Sequence, residues 1–208
     1  MVIDRTAQTT LKTELLKQIR AFTPQQALFP SKNESINQLV QQLELINPIP
    51  QPLSTENLPC LLGNWQLIYA SRGTVVTRRI NNIWEGITIK QIWQYLTAGS
   101  SNEIVVENGA LIELAWLGTW QLKAEGIWQL GTDEQVAKVS FNAFSSQLMN
   151  MFNQTNWSLP ELKIPVLEFL RNEAAWTTSY LDEDLRFGRG ATGNLFVFHR
   201  QSDVIGKY

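Results

Sequence analysis

The sequence predicts a mainly β protein: an antiparallel up-and-down barrel of about eight strands, preceded by two helices. Three observations carry this. From Leu61 onward apolar residues recur at every second position, the period of a strand with one face in a core and one in water. Turn-forming residues punctuate that region, at Ser71-Arg-Gly73, Ala98-Gly-Ser-Ser-Asn102, Leu117-Gly118 and Gly131-Thr-Asp133. Ahead of it, residues 8–46 carry apolar residues at helical spacing.

The first helix is expected from Thr10 to Phe22, with Leu11, Leu15, Ile19 and Phe22 on one face, and Pro24 ends it. The second opens on a capping box, Ser31-Lys-Asn-Glu34, and presents Ile36, Leu39, Val40, Leu43 and Ile46. Pro48, Pro50 and Pro52 stop it. This divides the chain into a helical segment with a Pro-rich link, residues 1–53, and a barrel over residues 54–208, within one structural domain overall.

The clearest strand runs from Trp120 to Leu130. One face holds Trp120, Leu122, Ala124, Gly126, Trp128 and Leu130; the other holds Gln121, Lys123, Glu125, Ile127 and Gln129. Further strands are expected near 64–70, 73–80, 86–96, 103–116, 134–143, 175–187 and 194–200. Asn108-Gly109 reads as a turn or as a bulge inside a long strand. Closing such a meander into a barrel removes its exposed edges and leaves an interior able to hold one small ligand. Residues 145–172 interrupt the alternation. They crowd Leu148, Met149, Met151, Phe152, Trp157 and Leu159 ahead of Pro160 and Pro165, and read as a lid over the barrel mouth or as a loop with core contacts.

Composition narrows the function. A net charge of −2 with 17% charged residues lacks the basic excess of a nucleic-acid binder. A lipid or membrane-surface role stays open, because apolar contact can carry such binding. Eight Trp and nine Phe signal a large core or an aromatic-lined cavity. A single cysteine, Cys60, excludes an intramolecular disulfide and a paired-cysteine metal site, and fits a reducing compartment. The first residues lack the apolar stretch of a signal peptide, and no apolar run reaches the length of about 18 residues that spans a membrane.

The stretch Gly188-Arg-Gly-Ala-Thr-Gly193 has the glycine spacing of a dinucleotide fingerprint. That chemistry needs a helix leaving the loop, whose N-terminus receives the pyrophosphate. The chain leaves this loop as Asn194-Leu-Phe-Val-Phe198, β-branched and aromatic, so the stretch reads as a hairpin whose glycines supply positive φ.

Leu62-Gly-Asn-Trp-Gln-Leu-Ile-Tyr-Ala-Ser71, and Tyr180-Leu-Asp-Glu-Asp-Leu-Arg-Phe-Gly-Arg-Gly190 with Gly193-Asn-Leu-Phe-Val-Phe198, resemble the two ends of the plastid lipid-associated proteins, or fibrillins, over roughly residues 10–200. The resemblance implies a lipocalin-like barrel. It implies association with lipid globules and thylakoids of photosynthetic organisms, and binding of prenylquinones, carotenoids or fatty acids. It implies no catalytic residue, cofactor or metal. The lack of a transit peptide points to a cyanobacterial-type member or a mature form, peripheral to thylakoid or globule on the cytoplasmic side, or in a plastid. Gly63-Asn-Trp65 also resembles the Gly-x-Trp signature of lipocalins, in which a Trp at the closed end packs under a basic residue of the last strand. Arg200 is the candidate, for a cation–π contact of about 0.5–2 kcal/mol.

The candidate cavity set is Trp93, Tyr95, Trp116, Trp120, Trp128 and Phe141, since ligand sites are mostly apolar with few polar groups. Asp182 and Asp184, two apart, are expected to share a strand face with Tyr180 and Arg186. They form either an acid–base pair or a charge ladder with Arg186 and Arg189 that fixes the last hairpin. The ladder is favoured because no nucleophile or second base accompanies the pair. If that face lines the interior, Arg186 would hold a lipid head group or carboxylate. Arg72, Arg78, Arg79 and Lys90 read as a basic rim for anionic lipid or as a solvated face. His199 has no partners for a triad or metal site, and Cys60 reads as a small buried hydrophobe. The expected function is non-catalytic binding of a hydrophobic molecule. A coat protein with a filled barrel and a bilin-binding lyase are the alternatives.

Overall fold

A computed structural model describes residues 5–28, 33–72, 86–115, 118–150, 162–165 and 174–201. Among the described residues four helices come first, α1 Arg5–Arg20, α2 Pro24–Leu28, α3 Glu34–Leu45 and α4 Leu58–Leu61. Nine strands among those residues come after them: β1 Gly63–Ala70, β2 Ile87–Ala98, β3 Glu103–Leu114, β4 Gly118–Leu130, β5 Val136–Asn150, β6 Leu162–Pro165, β7 Ala174–Leu181, β8 Leu185–Gly190 and β9 Leu195–Arg200.

Local chemistry sets the helix ends. Thr23 and Gln26 form a reciprocal capping box that starts α2: the Gln26 backbone N–H donates to Thr23 Oγ1 at 3.2 Å, and Gln26 Oε1 accepts from the Thr23 backbone N–H at 2.9 Å. Pro24 sits at the first helical position, where its missing N–H costs nothing. The N-cap of α3 is Asn33, whose Oδ1 accepts from the Ile36 N–H at 3.1 Å. This corrects the expected box at Ser31: the helix starts at Glu34, and Ser31 lies outside the described residues.

All strand pairings are antiparallel, and β1, β2, β3, β4, β5, β7, β8 and β9 close a ring through the β1–β9 and β4–β5 pairs. This is the predicted barrel-like meander. The long strand β5 makes the closure possible, because it pairs with β4 along one edge and, through Val136–Val139, with β7 along the other; Ala143–Ser146 of that second edge pairs with β6, off the ring. It runs through Asn150, so residues 145–150 are strand rather than lid or loop. The expected strand at 73–80, and residues 151–161 and 166–173, lie outside the described residues.

The strand expected over 175–187 is two strands. Asp182–Asp184 turns the chain, because Asp182 Oδ1 accepts the N–H groups of Asp184 and Leu185, both at 2.8 Å. Asn108-Gly109 is neither turn nor bulge; it lies in unbroken register with β2 and β4. Gly109 is required there because the Trp93 ring lies across it: an added Cβ would fall 2.0 Å from the indole. Gly188 makes the same allowance for Trp176, at 1.9 Å. Of the glycines in the last hairpin only Gly193 has positive φ, at 76°.

Two apolar layers result. Inside the ring lie Trp65, Leu67, Ile89, Leu96, Val106, Trp128, Val139 and Phe198, all buried. Outside it, α1 and α3 bury Leu15, Ile19, Ile36, Val40 and Leu43 against Tyr69, Tyr180, Leu185, Phe187 and Val197. The link and α4 close one end of the ring. Leu53 and Leu61 join the interior core, and Leu53 N–H donates to Glu134 O at 2.9 Å.

Candidate functional site

The interior near the α4-capped end carries a charge. The Arg186 side chain enters from β8 and is fully buried, at 0% exposure. Its Nη2 donates to Gln94 Oε1 from β2 at 2.6 Å, and Gln94 Nε2 donates to Asn108 Oδ1 from β3 at 2.7 Å. Three rings surround the guanidinium, with centroids 4.4 Å (Phe198), 5.0 Å (Trp65) and 5.7 Å (Trp128) from its central carbon. Arg186 Nε and Nη1 are buried with no hydrogen-bond partner among the described residues. Burial, then the nearby Arg200 charge, pushes the Arg186 pKa well down. A guanidinium starts from above about 12 and stays protonated in proteins, so the interior keeps a positive charge.

Arg200, from the end of β9, lies over the same Trp65 ring at 4.1 Å. It donates to the carbonyls of Glu183 at 2.7 Å and Leu62 at 2.9 Å, and to that of Cys60. Trp65 Nε1 donates to Leu61 O at 2.8 Å. These bonds tie β1, β9, the β7–β8 turn and α4 together, and Gly63 opens β1 at their centre. Away from the capped end, the Trp176 ring bridges Trp128 at 5.8 Å and Phe196 at 5.2 Å.

One family match takes in nearly all of this barrel and its helices: the PAP_fibrillin model covers residues 9–199, ending one residue before Arg200. The chain belongs to the PAP_fibrillin family. It is similar to a plastid-lipid-associated protein, chloroplastic, of Citrus unshiu, 30% identical over 82% of this chain and 61% of that protein. It is similar to a chromoplast-specific carotenoid-associated protein C1 of an Oncidium hybrid cultivar, 27% identical over 82% of this chain and 62% of that one. A probable plastid-lipid-associated protein 8, chloroplastic, of Arabidopsis thaliana is 23% identical over 95% of this chain and 74% of its own length. The chain thus spans about 61% of the length of the first relatives it matches. No solved structure matches it.

In this PAP_fibrillin chain the expected cavity residues divide. Trp128 is buried in the interior, and Trp120 and Phe141 pack half-buried against the interior core. Trp93 and Tyr95 do not line it. They alternate with the inward Gln94 and Leu96, so they lie on the outer face of β2, and Tyr95 is 37% exposed. Trp116 lies outside the described residues. Trp176, Phe196, Phe198 and Gln94 line the interior and were not in the expected set.

Asp182 and Asp184 do not share a face with Arg186. The turn at Asp182–Asp184 resets the alternation, placing Tyr180 and Asp182 on the helix-covered outer face and Arg186 inside. Their cationic partner is Lys12 of α1, at 2.8 Å from Asp182 and 3.0 Å from Asp184. Tyr180 Oη donates to Asp182 Oδ2 at 2.5 Å. Burial alone would raise the Asp182 pKa, but Lys12, Tyr180 and two backbone N–H groups outweigh it and hold the carboxyl below the usual range. Burial and the Asp182 charge push the Tyr180 hydroxyl up. Arg189 pairs not with this cluster but with Glu44 of α3, through Nε at 2.9 Å and Nη2 at 2.8 Å.

Two residues of the expected basic rim are described. Lys90 pairs with Glu113, Arg72 is exposed, and Arg78 and Arg79 lie outside the described residues. Cys60 is exposed rather than buried. His199 Nδ1 lies 2.8 Å from Arg200 O. Among the described residues no group of three metal-ligating side chains occurs, and no helix is long and apolar enough to cross a membrane.

Proposed function

We propose that the closed sheet holds a hydrophobic small molecule or lipid, such as a prenylquinone, carotenoid or fatty acid, without transforming it. In this reading the protein works peripherally at thylakoid membrane or lipid globules of a photosynthetic organism, plastidial in a eukaryote. The observation that carries the reading is the aromatic interior, in which Trp65, Trp128 and Phe198 surround the buried Arg186 and Trp176 and Phe196 continue the lining away from it. Apolar burial supplies affinity at about 25 cal/mol per Å², and one polar anchor sets orientation. The family and the names of its relatives, plastid-lipid-associated and carotenoid-associated, support it.

A second reading is a coat protein whose barrel is filled by its own side chains. It is favoured by the near-complete burial of Trp65, Trp128 and Phe198. Native mass spectrometry with solvent extraction, on protein purified from a photosynthetic host, separates the two. Stoichiometric quinone, carotenoid or lipid establishes the binding protein. Empty protein that still floats with membranes establishes the coat.

A further inference from the structure

Resting on the proposed interior binding, we propose that Arg186 selects an anionic cargo: a long-chain carboxylate that enters head first and pairs its head group with the buried guanidinium.

The accounting of hydrogen bonds and charge around Arg186 carries this. A guanidinium presents five N–H donors in a fixed fork. Here one nitrogen, Nη2, is matched, by a neutral amide. Nε and Nη1 are buried and unmatched among the described residues. No carboxylate among those residues pairs with it, although Arg189 has Glu44 and Lys12 has Asp182 and Asp184. The neighbouring Arg200 adds to the positive potential rather than offsetting it. The Phe198, Trp65 and Trp128 rings offer cation–π attraction but no oxygen acceptor for the free N–H groups. A buried charge left in this state is costly unless paired and hydrogen-bonded.

The unmatched Nε and Nη1 lie on opposite edges of the guanidinium, so a carboxylate oxygen takes one of them in a charge-assisted N–H···O bond. A quinone or ester carbonyl would accept a hydrogen bond and leave the charge uncompensated. The tail then has one direction to run. Trp65, Arg200 and α4 close the end beside Arg186, so the chain extends toward Trp176 and Phe196, further along β7 and β9. Trp176 Nε1 and Thr178 Oγ1, also buried and unmatched, lie along β7 on that route.

Isothermal titration of the full chain with oleate, methyl oleate and acetate tests this. Oleate should bind at least about tenfold tighter than methyl oleate, the ratio one charge-assisted contact supports. Acetate should not compete with oleate, since the site needs the tail. In Arg186→Met the preference should vanish while the ester still binds; Arg186→Lys should keep part of it. Equal binding of acid and ester by the native protein overturns the head-group inference and leaves interior binding standing. So does a tenfold preference that survives in Arg186→Met. Competition by acetate identifies a small-anion site and overturns the lipid assignment. If neither oleate nor methyl oleate binds, the head-group inference fails, and interior binding is left to the quinone and carotenoid arms of the mass-spectrometric test. If Arg186→Met does not fold, the native acid-to-ester ratio still tests the head-group preference, and its partial loss in Arg186→Lys tests the assignment to Arg186.

Discussion

Trp65 is the side chain on which most of the capped end depends. It is fully buried, donates to Leu61 O, and lies under two guanidiniums. Trp65→Ala should cost about 3–5 kcal/mol, read as a fall in Tm of about 2–4 °C per kcal/mol for a chain of this size. Gly188 gives a sharper test. A Cβ there would overlap the Trp176 ring at 1.9 Å, whereas one at Gly190 meets only Phe196 at 3.7 Å. Gly188→Ala should therefore destabilise by about 1–3 kcal/mol through overpacking, and Gly190→Ala should be near neutral in the same melt. The approach of Arg200 to Trp65 is legible in Gly63-Asn-Trp65 and a basic residue at the end of the last strand. The inward direction of Arg186 is not. It depends on the parity reset at Asp182–Asp184, which a period-two reading carried straight through residues 175–187 does not register. The same reading misses Gly188, because a glycine among glycines looks like turn chemistry when its task is to admit an indole.

Helix α1 is pinned to the barrel by apolar contact and by a polar cluster, Lys12 with the buried Asp182 and Tyr180 and the exposed Asp184. The pKa shifts set its pH dependence. The carboxyl of Asp182 is held below its ordinary value in the fold, so its contribution is present above about pH 4 and is lost as pH falls through the depressed folded value. Lys12 goes the other way. Burial lowers its pKa, but the two carboxylates prevail and raise it, so its contribution is present below about pH 10 and is lost as pH rises through the folded value. Asp182→Asn should destabilise the neutral protein by about 1–3 kcal/mol, since Lys12 loses the buried one of its two carboxylate partners and keeps the exposed Asp184. It should also flatten the acid limb of a stability-against-pH curve measured by urea unfolding; an unchanged acid limb would assign that limb to other groups. The helices themselves are legible from their apolar spacing. Their partner surface is not, because Tyr180 and Phe187, which α1 and α3 cover, sit in strands that a simple alternation assigns to one inner and one wet face. Both faces of β8 are buried at Leu185–Gly188, one by the ring and one by the helices.

At the scale of the whole molecule, a closed ring sorts aromatic residues into two populations that no local pattern distinguishes. Trp65, Trp128 and Trp176 look inward, while Trp93 lies on the outer wall over Gly109. The strand from Trp120 to Leu130 is legible because one of its faces points to water; β2 is harder, because its outer face carries Trp93 and Tyr95 and its inner face carries Gln94, an inversion of the usual polarity. This sorting makes the interior reading testable by fluorescence. A ligand that enters the ring lies against Trp128 and Trp176, so binding of a conjugated polyene should quench the tryptophan emission that those two contribute. Trp128→Phe and Trp176→Phe should each remove part of the ligand-induced quenching, while Trp93→Phe should leave it nearly unchanged. The same ligand should stabilise the fold by RT ln(1 + [L]/Kd), about 2.7 kcal/mol at a free concentration of 100 Kd, read as a rise in Tm. Quenching that disappears with Trp93→Phe but persists in the two interior variants would place the ligand on the outer wall. The barrel would then be a filled scaffold, and its outward aromatic face would be the surface that meets lipid.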